Sequence, residues 1–245
     1  MAIGESKYVN TMIRMIGDKR EDIDNYCESV LDRKYAIKSS GEIEIPSLSS
    51  EDIDSIREYS GYNFKHINAA LRDNWNYEVN GNISNKNEYI ARGRRLEEII
   101  GNNPSYMGNF RTYRGATLSS FSEYGITSID ELKNMEGKFM FDRGFTSTSI
   151  SEDKCFYDRD NELGKNYNVK IEYLIPEEFG DGIYLGNNDL SYTPGQDEYL
   201  INRANMSKVI GVNVDSQNNK ATMMVVMIPK HIYDMSYGNN VGRSK

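Results

Sequence analysis

The hydrophobic period of this chain changes at Phe110, and that change constrains the fold more than any other feature of the sequence. Before it, apolar residues recur every three or four positions, as in Phe64, Ile67 and Leu71, which is typical of amphipathic helices. After it, short runs of β-branched and aromatic residues are separated by Gly, Asn, Asp and Pro, which is typical of strands. Helices followed by a run of strands predict an α+β domain rather than a doubly wound parallel sheet.

The predicted helices fill most of the first half of the chain. Residues 7–36 are expected to be helical with a charged break at GDKRED, and SSGEIEIPS at 39–47 is the best candidate linker. Ser50 is the expected N-cap of the next helix, because acidic residues follow in its first turn, where they favour the positive end of the helix dipole. The last of these helices is expected to stop at Gly101.

The second half of the chain is expected to be mainly sheet. A hairpin turn is predicted at DSQNN, just before the last strand. The predicted strands are FRTYRG, GFTSTSI, NVKIEYLI, GDGIYLG, DEYLI, VIGVNV and ATMMVVMI.

Composition excludes several classes of function. The formal net charge of −8 disfavours nucleic acid as a general partner, since affinity for phosphate backbones comes from Lys and Arg. The longest apolar run, Met223 to Ile228, is too short to span a membrane. The first ten residues do not resemble a signal peptide. Cys27, Cys155 and two histidines match no metal-ligand spacing, so no metal is expected and the cysteines are interpreted as ordinary thiols.

The segment SYTPGQDEYL places Gln196 and Glu198 two residues apart, just after a turn at Pro194 and Gly195. On a strand, residues i and i+2 point to the same face, so an amide and a carboxylate would lie side by side. Paired carboxylates are usual in glycoside hydrolysis, but here one member is an amide that cannot titrate. Gln196 therefore suits orientation of a partner group, and Glu198 suits stabilisation of positive charge that develops on a ribose ring.

Two further strand segments carry polar side chains that, taken alone, have an ordinary structural explanation. In GFTSTSI, Ser147 and Ser149 share one face and Thr148 lies on the other, and serine pairs on strands are often only solvated decoration. In TYRGA, Arg114 precedes Gly115, which lets a ligand approach the backbone, and the guanidinium suits a phosphate or carboxylate. A lone arginine there is more often part of a surface ion pair.

Two more candidates lie outside these strands. Asn68 and Arg72 are four residues apart and share one helical face, which can also mean only a helix edge. Phe156 and Arg159 lie in CFYDRDNELGKN, which is either a plain connecting loop or an aromatic and an arginine placed to stack on a flat ring and hold a phosphate.

The order of these motifs resembles the ADP-ribosyltransferase toxin superfamily of the Arg, Ser-Thr-Ser, Glu type. TYRGA, FTSTS and GQDEY follow one another in the family's order, and YSGYNFKHINAALRDN and ATMMVVMIPK are similar to its preceding helix and last strand. The Gln-x-Glu form is similar to the bacterial exoenzymes that ADP-ribosylate an asparagine of Rho-type GTPases. The resemblance spans about residues 49–230 and implies a mixed α/β core of two packed, mainly antiparallel sheets.

The resemblance assigns catalytic roles to matching residues, with NAD as co-substrate. Arg114 would bind an NAD phosphate, and Gly115 would offer backbone contacts to the nicotinamide amide. Ser147 would hold Glu198, which would bond the 2′-hydroxyl of the nicotinamide ribose and stabilise the oxocarbenium-like transition state. Gln196 would orient the acceptor side chain.

The resemblance also implies a larger NAD-binding set. Arg72 and Arg159 would bracket the pyrophosphate, and Phe156 would stack on nicotinamide. The remaining candidates for NAD contact are Asn68, Thr148 and Ser149.

The acceptor loop departs from the family pattern. Rho-modifying members carry an aromatic residue three positions before the Gln, where this chain has Thr193, with Tyr192 one position earlier. Tyr192, Thr193 and Pro194 are the candidate recognition residues. One alternative is an arginine-specific, actin-modifying component of a binary toxin in which a Glu has been changed to Gln196. The third hypothesis is a catalytically inert binding module.

The expected organisation is an N-terminal helical extension at 1–48, a catalytic domain at 49–230 and a tail at 231–245. The extension would be a delivery or docking segment, a remnant of a longer toxin, or extra packing. The resemblance implies a monomeric, secreted bacterial protein that acts in the host cytosol on a Rho-family GTPase or actin, with a separate translocation component as a further possible partner.

Overall fold

The computed structural model describes residues 7–39, 43, 46–76, 83–158, 166–186, 190–193 and 195–233. Within them, a π-helical turn at Tyr59–Asn63 joins the third helix to the fourth. The α-helices are α1 (Lys7–Ile16), α2 (Arg20–Leu31), α3 (Ser50–Glu58), α4 (Phe64–Leu71) and α5 (Ile83–Asn102).

The helix starts follow local chemistry, with one correction to the prediction. The N-cap of α3 is Ser49, not Ser50, and its side chain accepts a hydrogen bond from the backbone N–H of Asp52. The predicted charged break between the first two helices is confirmed, because α1 ends at Ile16 and α2 begins at Arg20. Ser49 has an extended backbone, which lets its oxygen turn back onto the first helical turn.

The seven predicted strands are confirmed, and an eighth, β2, was missed. Short 3₁₀ turns at Leu118–Tyr124, Asp130–Met135 and Glu152–Lys154 connect some of them. The strands are β1 (Phe110–Ala116), β2 (Phe139–Asp142), β3 (Thr146–Ser149), β4 (Val169–Ile175), β5 (Gly182–Gly186), β6 (Glu198–Ile201), β7 (Asn205–Asp215) and β8 (Lys220–Ile228).

The strands confirm the mixed, mainly antiparallel α+β class. They are hydrogen-bonded in one order, β2-β7-β8-β4-β1-β3-β6-β5, in which only β4 and β8 pair in parallel. The expected two sheets are therefore joined, but only narrowly: β1 and β3 share a single register pair, Tyr113 with Ser149. This junction divides the order into a five-strand part and a three-strand part.

The two parts of the sheet pack against one another. One core cluster contains Phe110 and Ile171 from the five-strand part together with Tyr199 and Ile201 from the three-strand part. The rings of Phe110 and Tyr199 meet edge to face, with their centroids 5.0 Å apart. Folding at the junction thus places β3 and β6 beside β1.

Helices cover each part from outside. Ile56, Ile67 and Leu96 from α3, α4 and α5 pack with Phe145 and Leu200 of the three-strand side. Their apolar stripes explain why the first half of the chain carries the helical period.

The N-terminal helices pack on the five-strand part. Ile23 and Val30 of α2 are fully buried against residues that include Phe141 and Val226. Tyr233, within the expected C-terminal tail, is buried in the same cluster. The expected division at 1–48, 49–230 and 231–245 stays a prediction, and residues 234–245 lie outside the described residues.

No helix among the described residues has the length and hydropathy needed to cross a membrane.

Replacing Ile23 with Ala should lower the free energy of unfolding by about 2–4 kcal/mol, because it empties a fully buried site between α2 and the sheet. Urea denaturation measures this. The control is Ile37→Ala, since Ile37 is 76% exposed and its change should stay within about 0.5 kcal/mol. If Ile23→Ala lowered the free energy of unfolding no more than Ile37→Ala does, α2 would not depend on this packing.

Candidate active site

The centre of the site is the carboxylate of Glu198, the first residue of β6. The hydroxyl of Ser147 on β3 donates a hydrogen bond to Glu198 Oε1 at 2.6 Å. β3 and β6 are antiparallel, and Leu200 stands opposite Ser147, so Ser147 and Glu198 are diagonal neighbours on one face. The structure therefore brings this predicted pair together as expected.

Arg114 on β1 completes a three-residue group. Its Nη1 donates to the backbone carbonyl of Ser147 at 2.8 Å, so Ser147 contacts the arginine through its carbonyl and the glutamate through its hydroxyl. The side chain of Arg114 stays half-buried. A cation and a carboxylate are thus fixed on β1 and β6, the strands on either side of β3.

The environment of Glu198 makes its ionised form less favourable than it would be in water. The residue is only 7% exposed, and burial raises the pKa of its carboxyl, while the Ser147 hydrogen bond and the charge of Arg114 oppose that rise only in part. A carboxylate that is ionised in such surroundings interacts strongly with positive charge that develops beside it. This is the property that stabilisation of a ribose cation requires.

The other two hydroxyls of the Ser-Thr-Ser segment make internal hydrogen bonds. Thr148 Oγ1 donates to the carbonyl of Tyr199 at 2.8 Å, and Ser149 Oγ donates to the carbonyl of Gln196 at 2.7 Å. Thr148 points to the opposite face from Ser147. Thr148 and Ser149 are 5% and 4% exposed. Their positions therefore support a structural role, and contact with a ligand stays a prediction.

Asn68 and Arg72 of α4 both reach the start of β3, which confirms that they share one helical face. Asn68 Oδ1 accepts from the backbone N–H of Phe145 at 2.8 Å, and its amide donates to Tyr59 at 3.1 Å. Arg72 donates to the carbonyl of Phe145 at 3.1 Å. The helix thereby fixes the backbone two residues before Ser147.

Arg72 has a partner that sequence reasoning missed. Its guanidinium makes two hydrogen bonds to the carboxylate of Asp142, at 2.8 and 2.7 Å. Burial alone would raise the pKa of Asp142, but the charge and hydrogen bonds of Arg72 lower it overall. Asp142 ends β2, the strand that was not predicted, and no local motif marks it. Both side chains keep about a quarter to a third of their exposure, 27% for Arg72 and 30% for Asp142.

Gly115 lies directly against the loop that carries Phe156. Its N–H donates to the carbonyl of Cys155 at 2.5 Å, and an added Cβ would come within 2.8 Å of the Cys155–Tyr157 backbone. The predicted close approach was that of a ligand, whereas in the structure the protein's own loop lies against this glycine. Phe156 is 43% exposed with φ of +60°, and Arg159 lies outside the described residues.

The segment before Gln196 presents an exposed aromatic pair. Tyr192 is 57% exposed and Tyr62, in the π-helical turn, is 77% exposed. Their rings meet edge to face with centroids 5.5 Å apart, and the Tyr192 N–H donates to Ser60 Oγ at 2.9 Å. Thr193 is exposed beside them, and Pro194 lies outside the described residues. Tyr62 was not foreseen, because its partner is 130 positions away in the chain.

Among the described residues, no group of three or more His, Cys, Asp or Glu side chains gathers in a way that could hold a metal ion.

Comparison with known proteins gives a family match over most of the chain. The model of the family described as ADP-ribosyltransferase exoenzyme matches residues 7–229, which include the N-terminal helices. No curated protein sequence gives a match.

Solved structures share the fold at low sequence identity. C3stau2 from S. aureus, solved with NAD, is 20% identical with a TM-score of 0.57, over 75% of this chain and 89% of its own. C3larvin toxin from Paenibacillus larvae is 23% identical with a TM-score of 0.55, over 75% and 90%. Vis in complex with agmatine is 14% identical with a TM-score of 0.54, over 89% and 88%.

Replacing Glu198 with Gln should raise the free energy of unfolding at pH 7, because the buried carboxylate then no longer has to be ionised. The Ser147 hydrogen bond survives, since the amide oxygen still accepts it. The gain should be full above the raised pKa of Glu198 and vanish below the unfolded carboxyl pKa of about 4.3.

Urea denaturation between pH 4 and 8 measures this difference. The exposed Glu28 provides the control, since Glu28→Gln should change stability by less than about 0.5 kcal/mol. A loss of stability in Glu198→Gln at pH 7 would contradict the account.

Proposed function

Since the chain belongs to the ADP-ribosyltransferase exoenzyme family and is an NAD-dependent ADP-ribosyltransferase, we propose that it transfers ADP-ribose to an asparagine of a Rho-family GTPase. The observation that carries this proposal is the buried carboxylate of Glu198, held by Ser147, with the non-titrating Gln196 two residues before it.

The proposed reaction breaks the bond between nicotinamide and its ribose. Nicotinamide leaves with the bonding electrons, and positive charge spreads over the ribose ring. Glu198, in its ionised form, binds the ribose 2′-hydroxyl and stabilises that charge, while Ser147 keeps the carboxylate oriented. The acceptor nitrogen then bonds to the ribose carbon and releases a proton, and water in its place yields free ADP-ribose.

The arginines hold the charged part of NAD in this proposal. Arg114 lies one residue before Gly115 and is half-buried, and its guanidinium suits a phosphate. Arg72 already has Asp142 as a partner, so the ion pair fixes its orientation while it contributes positive charge. Phe156 would stack on nicotinamide, and Arg159, Asn68, Thr148 and Ser149 complete the proposed NAD-binding set.

Gln196 favours asparagine as the acceptor. An arginine acceptor carries a positive charge, and a nearby carboxylate would help to hold it and to take its proton. A glutamine supplies neither charge nor base, but its amide can donate to and accept from another amide. The side chain of Gln196 therefore matches an asparagine better than a guanidinium.

A protein acceptor fits the surface beside Gln196. Tyr192, four residues before Gln196, forms an exposed aromatic pair with Tyr62, and aromatic anchors are enriched in binding hot spots. Tyr192 thus supplies the aromatic ring that Rho-modifying members carry at the position of Thr193. Tyr192, Thr193 and Pro194 are the proposed recognition residues.

Modification of arginine, as on actin, is the second candidate. The fold is shared with Vis, whose structure holds agmatine, a compound with the guanidinium group of arginine. In that case Gln196 would stand where an active enzyme needs a glutamate. Hydroxylamine distinguishes the two linkages, because asparagine and arginine adducts differ in their sensitivity to it.

We further propose that the protein acts as a secreted monomeric toxin in the host cytosol. Residues 1–48 form the proposed extension to the catalytic domain at 49–230, and a separate translocation component would be a further partner. An inert binding module is disfavoured, since a module without catalysis has no need to keep Glu198, Ser147 and Arg114 in contact.

Two substitutions should separate NAD cleavage from transfer. Glu198→Ala should lower both NAD hydrolysis and transfer by at least about 100-fold, because both need the ribose cation stabilised. Gln196→Ala should lower transfer by about 10- to 100-fold and leave hydrolysis within about threefold, because water needs little orientation. Nicotinamide release and label on the acceptor measure the two reactions. Hydrolysis that survives Glu198→Ala would refute the role of that residue.

The aromatic pair should act only on the protein acceptor. Tyr192→Ala and Tyr62→Ala should each raise the KM for the acceptor by about 5- to 30-fold and leave NAD hydrolysis unchanged. Tyr106→Ala is the matched control, because Tyr106 is 76% exposed but lies near Gly180 instead. Equal effects in all three variants would argue against a specific acceptor surface.

A further inference from the structure

We propose that Asp197 is a positioning residue that ties the acceptor side of the site to the loop on its NAD side. Asp197 stands between Gln196 and Glu198, and its carboxylate binds the segment Ser151–Lys154, which leads into Phe156. The assignment rests on the proposed function, because it concerns how these two sides are held for the same reaction.

The carboxylate of Asp197 is buried and fully engaged. Its Oδ2 accepts from Ser151 Oγ at 2.6 Å and from Lys154 Nζ at 2.8 Å, and its Oδ1 accepts from the Tyr184 hydroxyl at 3.4 Å. The side chain of Asp197 is 5% exposed, against 36% for Lys154. Because Asp197 is buried, loss of its partner would leave a poorly solvated charge, which costs more than breaking an ion pair between two exposed groups.

The backbone repeats the same connection. Asp197 has φ of +49°, in the left-handed region that Asp and Asn tolerate better than other residues with side chains. Its carbonyl accepts from the N–H of Ile150 at 3.0 Å, while the Gln196 carbonyl accepts from Ser149 Oγ. The turn before β6 is therefore attached both to the end of β3 and to the segment that follows it.

The attachment continues to the NAD side of the site. Lys154 is followed by Cys155, whose carbonyl accepts from Gly115, and the backbone of Phe156 passes over the same glycine. Gly115 is adjacent to Arg114, which contacts Ser147. A closed path of contacts thus runs from Glu198 through Asp197 and Lys154 to the proposed nicotinamide-stacking residue and back to Arg114.

This path predicts that a change at Asp197 affects NAD binding and not the stabilisation of the ribose cation. The position of Glu198 depends directly on Ser147, whereas the position of Phe156 depends on the Asp197–Lys154 pair. Loss of the pair should loosen the loop that binds NAD and leave the carboxylate that stabilises the ribose cation in place. Burial alone would raise the pKa of Asp197, but hydrogen bonds from Lys154 and Ser151 lower it overall, so the ionised form is the one that binds them.

The first test is the kinetics of NAD hydrolysis by Asp197→Asn, which keeps the shape and the tolerated backbone conformation but removes the charge. The KM for NAD should rise by about tenfold with kcat within about threefold, because ground-state binding is lost and the chemical step is not. A lower kcat at unchanged KM would overturn the proposal, because it is the mark of a smaller folded fraction.

Lys154→Gln should reproduce the higher KM, and the double variant should be no worse than either single one, since both remove the same interaction. The matched control is Asp181→Asn, which breaks another buried pair: Asp181 with Lys230. That variant should leave the KM for NAD unchanged. Additive effects of Asp197→Asn and Lys154→Gln would overturn the coupling.

Hydrogen exchange of the NAD-free protein tests the connection independently of activity. The amides of residues 150–157 should exchange at least about fivefold faster in Asp197→Asn and Lys154→Gln, but not in Asp181→Asn. Unchanged exchange would overturn the proposal whatever the kinetics show. Faster exchange in a protein that neither cleaves nor binds NAD would uphold the connection and refute the proposed function instead.

Discussion

The hydrogen bond from Ser147 to Glu198 is the contact on which the proposed chemistry depends. It needs β3 and β6 to be antiparallel neighbours in one register, because a shift of one residue would turn either side chain to the opposite face. That register is supported from outside by Asn68 and Arg72, which bind the backbone of Phe145 at the start of β3. The helix α4 therefore does more than cover the sheet.

The narrow junction between β1 and β3 explains how three strands contribute to one site. Because a single register pair links them, the two parts of the sheet can fold toward each other and share one core. Arg114 from β1 then reaches Ser147 of β3, which in turn reaches Glu198 of β6. The site occupies the region where the hydrogen-bonded order is weakest, and side-chain contacts replace the missing backbone pairs.

Local pattern predicted most of the elements but not the long-range partners. The change of period at Phe110 was enough to separate helices from strands, and the strand that contains Glu198 was predicted correctly. The prediction that Gln196 shares that strand with Glu198 is wrong, because Gln196 lies in the turn before β6 and Asp197 between them has φ of +49°. β2 (FMFD) was missed, together with Asp142, the partner of Arg72, because this strand contains no β-branched residue, unlike the equally short β3 and β6. Asp197 carried no signal, since its partners Ser151 and Lys154 lie more than 40 positions away. Such pairs depend on tertiary packing, which a single sequence does not display.

The most direct measurement is to incubate the protein with NAD labelled in its ADP-ribose part and a eukaryotic cell lysate, and to identify the labelled residue by mass spectrometry. The account predicts label on an asparagine of a protein of small-GTPase size. Label on arginine of actin would contradict the proposed acceptor, and intact NAD with no labelled protein would contradict the proposed function of the site.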